Sequence, residues 1–159
     1  MEIRLAQEQN LIEVIYIVRE CAQQLMEKGV RNWHNTQSDY ADISKDISNN
    51  YVYLVSIKKV PIGTITLKPD DSDTNKTNID RLAIFPHFQR RGYAKALIDF
   101  AIAEASKKGS TAVRGTVPCN NKSLCQLLEE KGFKNLGASG EIPNEMVKIL
   151  FEKELDKSL

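Results

Sequence analysis

Residues 79–85 read as an alternating apolar and polar segment, Pro86 closes it, and the turn that follows holds the only glycine of the stretch, Gly92. Beyond it Ala94, Leu97, Ile98, Ala101, Ile102 and Ala105 recur at the i, i+3, i+4, i+7 spacing of one buried helical face. A strand therefore feeds the start of a helix whose small side chains let it sit close on a sheet. Lys107, Lys108 and Gly109 supply the cationic last turn and glycine stop of that helix.

The flanking pattern is mixed. Residues 2–5 predict a short strand, and the apolar positions of residues 11–26, Leu11 to Met26, follow a helical period with Gly29 suited to the position beyond the C-terminus. Residues 30–37 read as a loop, and Ser38 as the N-cap of a second helix with Tyr40, Ile43 and Ile47 inward and Asn49 and Asn50 at its end. Two β-rich runs, 51–57 and 62–67, flank a hairpin connection at residues 58–61. Residues 68–77 are polar and turn-rich and predict a solvated loop. A fifth strand is expected over 111–117, buried through Val113, Gly115 and Val117. A helix over 122–131 follows, with Leu124, Leu127 and Leu128 inward and a stop at Gly132. Strands over 133–136 and 146–153 close the pattern around a glycine-rich loop at 137–144. This order excludes a simple alternating doubly wound fold, and the absence of repeats or linkers favours one domain over residues 1–159.

Composition changes little. A chain of 159 residues with a formal charge of +1 gives no bulk electrostatic reason to expect nucleic acid or membrane as partner. Cys21, Cys119 and Cys125 form an odd set without C-x-x-C spacing, so no disulfide framework or metal site is expected and a cytoplasmic location fits. Glu13, Arg19 and Glu20 interrupt the N-terminal apolar positions, which argues against a signal peptide.

Chemistry concentrates in Gln89-Arg90-Arg91-Gly92-Tyr93-Ala94. Read as the first turn of the helix, these residues offer unpaired backbone N–H groups, the positive end of the macrodipole and two guanidinium groups, which together suit a pyrophosphate. They match Gln/Arg-x-x-Gly-x-Gly/Ala after a strand, and so resemble the GNAT superfamily of acyl-CoA-dependent N-acyltransferases. Arg81-Leu82-Ala83-Ile84-Phe85-Pro86 looks like the family's fourth strand. The segment 121–133, from Asn121 to Gly132-Phe133, resembles its Asn, helix, Gly-Phe signature.

The resemblance implies a mixed α/β GNAT fold: a largely antiparallel sheet of about seven strands, splayed between strands 4 and 5, with about four helices. It implies acetyl-CoA as co-substrate without a metal, its pantetheine arm against the backbone of Leu82 and Ile84, and its diphosphate on Gln89, Arg90, Arg91, Gly92, Tyr93 and Ala94. The Ile84 N–H would polarise the thioester, and Asn121 would reach the pantetheine while also serving as a helix N-cap. The acceptor implied is a primary amine of a small molecule or peptide, attacking directly in a ternary complex; a homodimer stays open. Asp80, on the side of Leu82 and Ile84 under strict alternation, reads either as a base acting through water or as a surface charge. Trp33 and His34 fall in a loop that helps form the acceptor side in this family, although Trp33 also suits a core anchor. Leu128 departs from the pattern, standing where many members carry a tyrosine that protonates the leaving thiolate. Cys125, one turn earlier, reads as a substitute donor or as a buried core cysteine. A non-catalytic acyl-CoA-binding module is therefore the competing function. Acidic residues of the 68–77 loop and Glu141 read as solvated, or as facing a cationic substrate.

Overall fold

The structure, a computed structural model, describes residues 1–29, 40–139 and 147–156. Its elements in chain order are β1 (Glu2–Leu5), α1 (Leu11–Glu27), α2 (Tyr40–Ser48), β2 (Val52–Ile57), β3 (Val60–Pro69), β4 (Lys76–Ile84), α3 (Tyr93–Lys107), β5 (Ala112–Pro118), α4 (Lys122–Glu130), β6 (Lys134–Ser139) and β7 (Lys148–Glu154). The strands form one mixed sheet in the order β1-β2-β3-β4-β5-β7-β6. Neighbours are antiparallel at β1–β2, β2–β3, β5–β7 and β6–β7, whereas β4 and β5 run parallel. This is the α/β sheet of seven strands with four helices that the sequence pattern predicts, counted among the described residues. Contacts divide the chain into two compact units, one built from Met1–Leu67 and Asp80–Ala94, the other from Lys68–Ile79 and Lys95–Leu159.

In the first unit, α1 and α2 bury most of the face that their periodicity predicts, but Tyr40 and Met26, expected inward at the ends of the two helices, are exposed. Val14, Ile17, Val18 and Cys21 of α1 join Ile43 and Ile47 of α2, Val52 and Leu54 of β2 and Ala83 of β4 in one apolar cluster. Helix α1 starts from a 3₁₀ turn, Glu8–Asn10, in which the Asn10 side-chain oxygen accepts the Gln7 N–H at 2.9 Å. Past its C-terminus, Gly29 has φ 78°. The expected cap at Ser38 lies outside the described residues. The hairpin connection is tighter than expected: β3 begins at Val60, carries Pro61 within it, and leaves Lys58 and Lys59 as a two-residue turn, both at positive φ. At Gly63 an added Cβ would lie 2.9 Å from the Ala83 carbonyl and 2.7 Å from Ile84 Cδ1, so β3 and β4 approach where only glycine fits.

Strand β4 also departs from strict alternation. Arg81 sits in it at φ 47° with its side chain buried, and donates to Asp46 of α2 at 2.5 Å. The positive φ breaks the two-residue period, so Asp80 cannot be assigned to the face of Leu82 and Ile84 by counting. Arg81 is an interior ion-pair member.

In the second unit, β4 pairs with β5 over three positions, Lys76↔Ala112, Thr77↔Val113 and Asn78↔Arg114. Strand β7 runs between β5 and β6, pairing with β5 from Ala112↔Glu154 to Pro118↔Lys148. Leu97, Ile98, Ala101 and Ala105 of α3 are buried as predicted, while Ala94 and Ile102 are half-buried. Val113 and Val117 of β5 are buried, but Gly115 is half-buried; on α4 only Leu128 is fully buried, with Leu124 and Leu127 half-exposed. The 68–77 segment is more ordered than a solvated loop. Asp70 accepts hydrogen bonds from the Ser72 hydroxyl (2.6 Å), the Ser72 and Asp73 N–H groups and Asn78 Nδ2 (2.9 Å), with an Arg114 guanidinium nitrogen at 3.6 Å. Glu152 of β7 receives Arg114 Nε at 2.6 Å and Lys76 Nζ at 2.9 Å. Three strands, β4, β5 and β7, and a turn are thus tied by alternating charges.

Candidate functional site

Strand β4 ends where the Phe85 N–H donates to the Ile62 carbonyl of β3 at 2.7 Å. Pro86 then starts a 3₁₀ turn, Pro86–Phe88, as its fixed φ favours. The chain next passes through two positive-φ residues, Arg90 (63°) and Gly92 (86°), before α3 begins at Tyr93. The six residues read from sequence as a first helical turn are therefore mostly a turn leading into the helix. Their chemistry is unchanged, because the first four N–H groups of α3 still lack intrahelical acceptors, and its first turn holds no acid. A Cβ placed on Gly92 would meet nothing within 4 Å, so glycine is required there by φ, and space is open around it. Arg90 and Arg91 are exposed, the Arg91 guanidinium 5.5 Å from the centroid of the Phe88 ring. Open space, unpaired N–H groups, a helix N-terminus and two guanidinium groups converge on an anion.

Behind the turn, Gln89 points inward. Its Nε2 lies 2.8 Å from the Ile84 carbonyl and 2.8 Å from Gln24 Oε1 of α1. The same carbonyl accepts the Cys21 thiol at 2.9 Å. Burial, with a smaller contribution from Glu20, pushes that thiol up to about 12, so it stays protonated as a donor. Because the Phe85 N–H faces β3, the N–H and carbonyl of Ile84 face the opposite edge of the strand. Leu82, half-buried, lies two residues back on that strand. Tyr16 of α1 stacks on Phe85 at 5.6 Å.

The structure thus gathers Leu82, Ile84, Gln89, Arg90, Arg91, Gly92, Tyr93 and Ala94 within the first unit, with Asp80 half-buried beside the Arg81–Asp46 pair. Asn121 belongs to the second unit, where its side-chain oxygen accepts the Leu124 N–H at 3.4 Å as the N-cap of α4. Leu128 is 3% exposed and fills the interior of that unit. Cys125 is half-buried, its thiol pKa raised first by burial and then by Glu129. Trp33, His34 and Glu141 lie outside the described residues. No group of three metal-ligating side chains occurs among the described residues. Sequence reasoning did not find Cys21, Gln24 or Asp46 as neighbours of the site. Cys21 and Gln24 carry only a helical signal, and the pairing of Asp46 with Arg81 spans 35 residues.

The sequence model of the acetyltransferase (GNAT) family matches residues 13–133. No curated protein matches the chain in sequence. Among solved structures, a ribosomal-protein-alanine N-acetyltransferase from Brucella melitensis shares 16% identity over 98% of this chain and 100% of its own, at a TM-score of 0.79. The PaiA N-acetyltransferase from Thermoplasma acidophilum, solved in complex with coenzyme A, shares 22% identity over 97% and 98%, at 0.78. YncA, described as a putative acetyltransferase from Salmonella typhimurium and solved with acetyl-CoA, shares 16% over 100% and 96%, at 0.75. At these identities the likeness is one of fold.

Proposed function

We propose that this chain, which belongs to the acetyltransferase (GNAT) family, transfers the acetyl group of acetyl-CoA to a primary amine of a small molecule or peptide by direct attack in a ternary complex. The observation that carries the proposal is the turn before α3, where Arg90 and Gly92 adopt positive φ and space stays open around Gly92. The residues fit coenzyme A: Arg90, Arg91 and the N–H groups of Gly92, Tyr93 and Ala94 suit its diphosphate. The edge of β4 at Leu82 and Ile84 suits an extended pantetheine. The likeness to structures solved with coenzyme A and with acetyl-CoA supports this reading. Residues 1–159 are read as a single acetyltransferase domain acting in the cytoplasm.

Bound acetyl-CoA supplies an activated acyl thioester. The chain's own part begins with the Ile84 N–H, a fixed dipole that would donate to an acyl oxygen on which negative charge develops. An alkylammonium has a pKa near ~10.4 and must lose a proton before it attacks. Asp80 accepts that proton through water. The family resemblance implies a pantetheine contact for Asn121, the N-cap of α4, and an acceptor-side role for Trp33 and His34. Leu128 brings no hydroxyl, and a thiol of pKa about 8.5 would leave as its thiolate without a donor there.

The buried, apolar Leu128 also favours a second reading, a CoA-binding module without turnover. Release of free CoA from acetyl-CoA over a panel of amines, run beside thermal shift by acetyl-CoA, separates the two. Stabilisation with amine-dependent release is the expected outcome. Stabilisation without release by any amine would favour the module, and no stabilisation would overturn both.

A further inference from the structure

A primary amide carries two N–H donors, and both of those on Gln89 already have acceptors, Gln24 Oε1 and the Ile84 carbonyl. That carbonyl has two lone pairs, and both are filled, one by Gln89 and one by the Cys21 thiol. The other end of the same peptide unit, the Phe85 N–H, is held by Ile62. The peptide between Ile84 and Phe85 is therefore fixed by three bonds, from α1, from the turn and from β3.

We infer that Gln89 is a positioning residue that ties the diphosphate turn to the Ile84–Phe85 peptide, and that its side chain does not bind the cofactor; Gln24 orients it and Cys21 completes the carbonyl. The functional meaning rests on the acetyltransferase reading, but the bonds do not. Two consequences follow from the donor and acceptor assignment. First, a filled carbonyl takes no further donor, so a ligand contacting the backbone of Ile84 has only the N–H to meet. This suits a carbonyl oxygen and disfavours an amide N–H at that point. Second, the relay has a direction: Gln89 must donate and Gln24 must accept. Glutamate at position 24 keeps the contact, whereas methionine at either position removes it.

The test uses the full chain in two arms. In cofactor-free protein, amide exchange at Phe85 is measured by NMR for the wild type, Gln89→Met, Gln24→Met and Gln24→Glu. We expect exchange about three- to tenfold faster in both methionine variants, and close to wild type in Gln24→Glu. In the second arm, CoA affinity is measured by calorimetry. Both methionine variants should weaken it by a similar factor of about three to ten, and the double variant should be no weaker than Gln89→Met alone. Unchanged Phe85 exchange in all variants would overturn the inference. So would loss of CoA affinity in Gln89→Met with none in Gln24→Met, the signature of a direct ligand. If the wild type binds no CoA, the acetyltransferase reading fails, and the exchange arm still decides the role of Gln89.

Discussion

Arg81 shows how one residue reshapes a site without touching a ligand. A non-glycine residue at positive φ inside a strand is costly, and a guanidinium held in the interior needs a charge partner. Asp46 supplies the charge from α2. Removing one partner of such a pair leaves the other buried and uncompensated, so Arg81→Met should destabilise the protein by about 3–5 kcal/mol in urea denaturation. Arg81→Met combined with Asp46→Leu should recover much of that loss. The alternation of 79–85 is legible in sequence as a strand, but the break at Arg81 is not. It depends on a partner 35 residues away and on a backbone angle that no pattern of residue types encodes. Cys21 shows the same limit, since its helical spacing predicts burial but not the carbonyl it meets. With its folded pKa raised from 9.0 to about 12, it favours the folded state most below pH 9 and loses that contribution as pH rises toward 12. In thiol labelling at neutral pH, exposed Cys119 should react first and Cys21 only on unfolding.

Among the elements, boundaries set by glycine and by residue period are the most readable. The C-terminus of α1 before Gly29 and that of α3 before Gly109 fall where the sequence places them. The N-terminus of α3 was less legible, because Gln89 to Gly92 contain good helix formers and the competing turn reveals itself only in two positive φ values. The β2–β3 hairpin makes a related point. Its turn is two lysines at positive φ, a conformation that favours Asn-Gly, and no side-chain signal marks it. Lys59→Gly should relieve about 1 kcal/mol of that strain and raise the melting temperature. Asn121→Ala should cost about 1 kcal/mol as a lost N-cap of α4. If Asn121 also contacts the pantetheine, CoA affinity should fall in calorimetry while Lys59→Gly leaves it alone.

At the scale of the molecule, the order of elements along the chain and the α/β class were legible because each strand and helix carries its own period, whereas the place of β7 between β5 and β6 was not. The charge network of the second unit was not, because Asp70 and Glu152 look like surface acids in sequence. The Ser72 hydroxyl, with Asn78 and two backbone N–H groups, lowers Asp70 to about 2, and the Lys76 ammonium, with Arg114, lowers Glu152. Both carboxylates therefore stabilise the fold above their ordinary pKa values, and that stability is lost as pH falls through the lowered ones. For Asp70 the window runs from 3.8 down to about 2. The urea midpoint should drop across it, and Asp70→Asn should flatten the drop.

The place of β7 between β5 and β6 has its own consequence for how the chain is made. On the ribosome, β6 emerges before β7, its one sheet neighbour among the described residues, and β5 waits longer still for the same partner. Until residues 148–154 arrive, two strand edges lie open to other nascent chains, so crowded synthesis exposes the protein to misassembly through these edges.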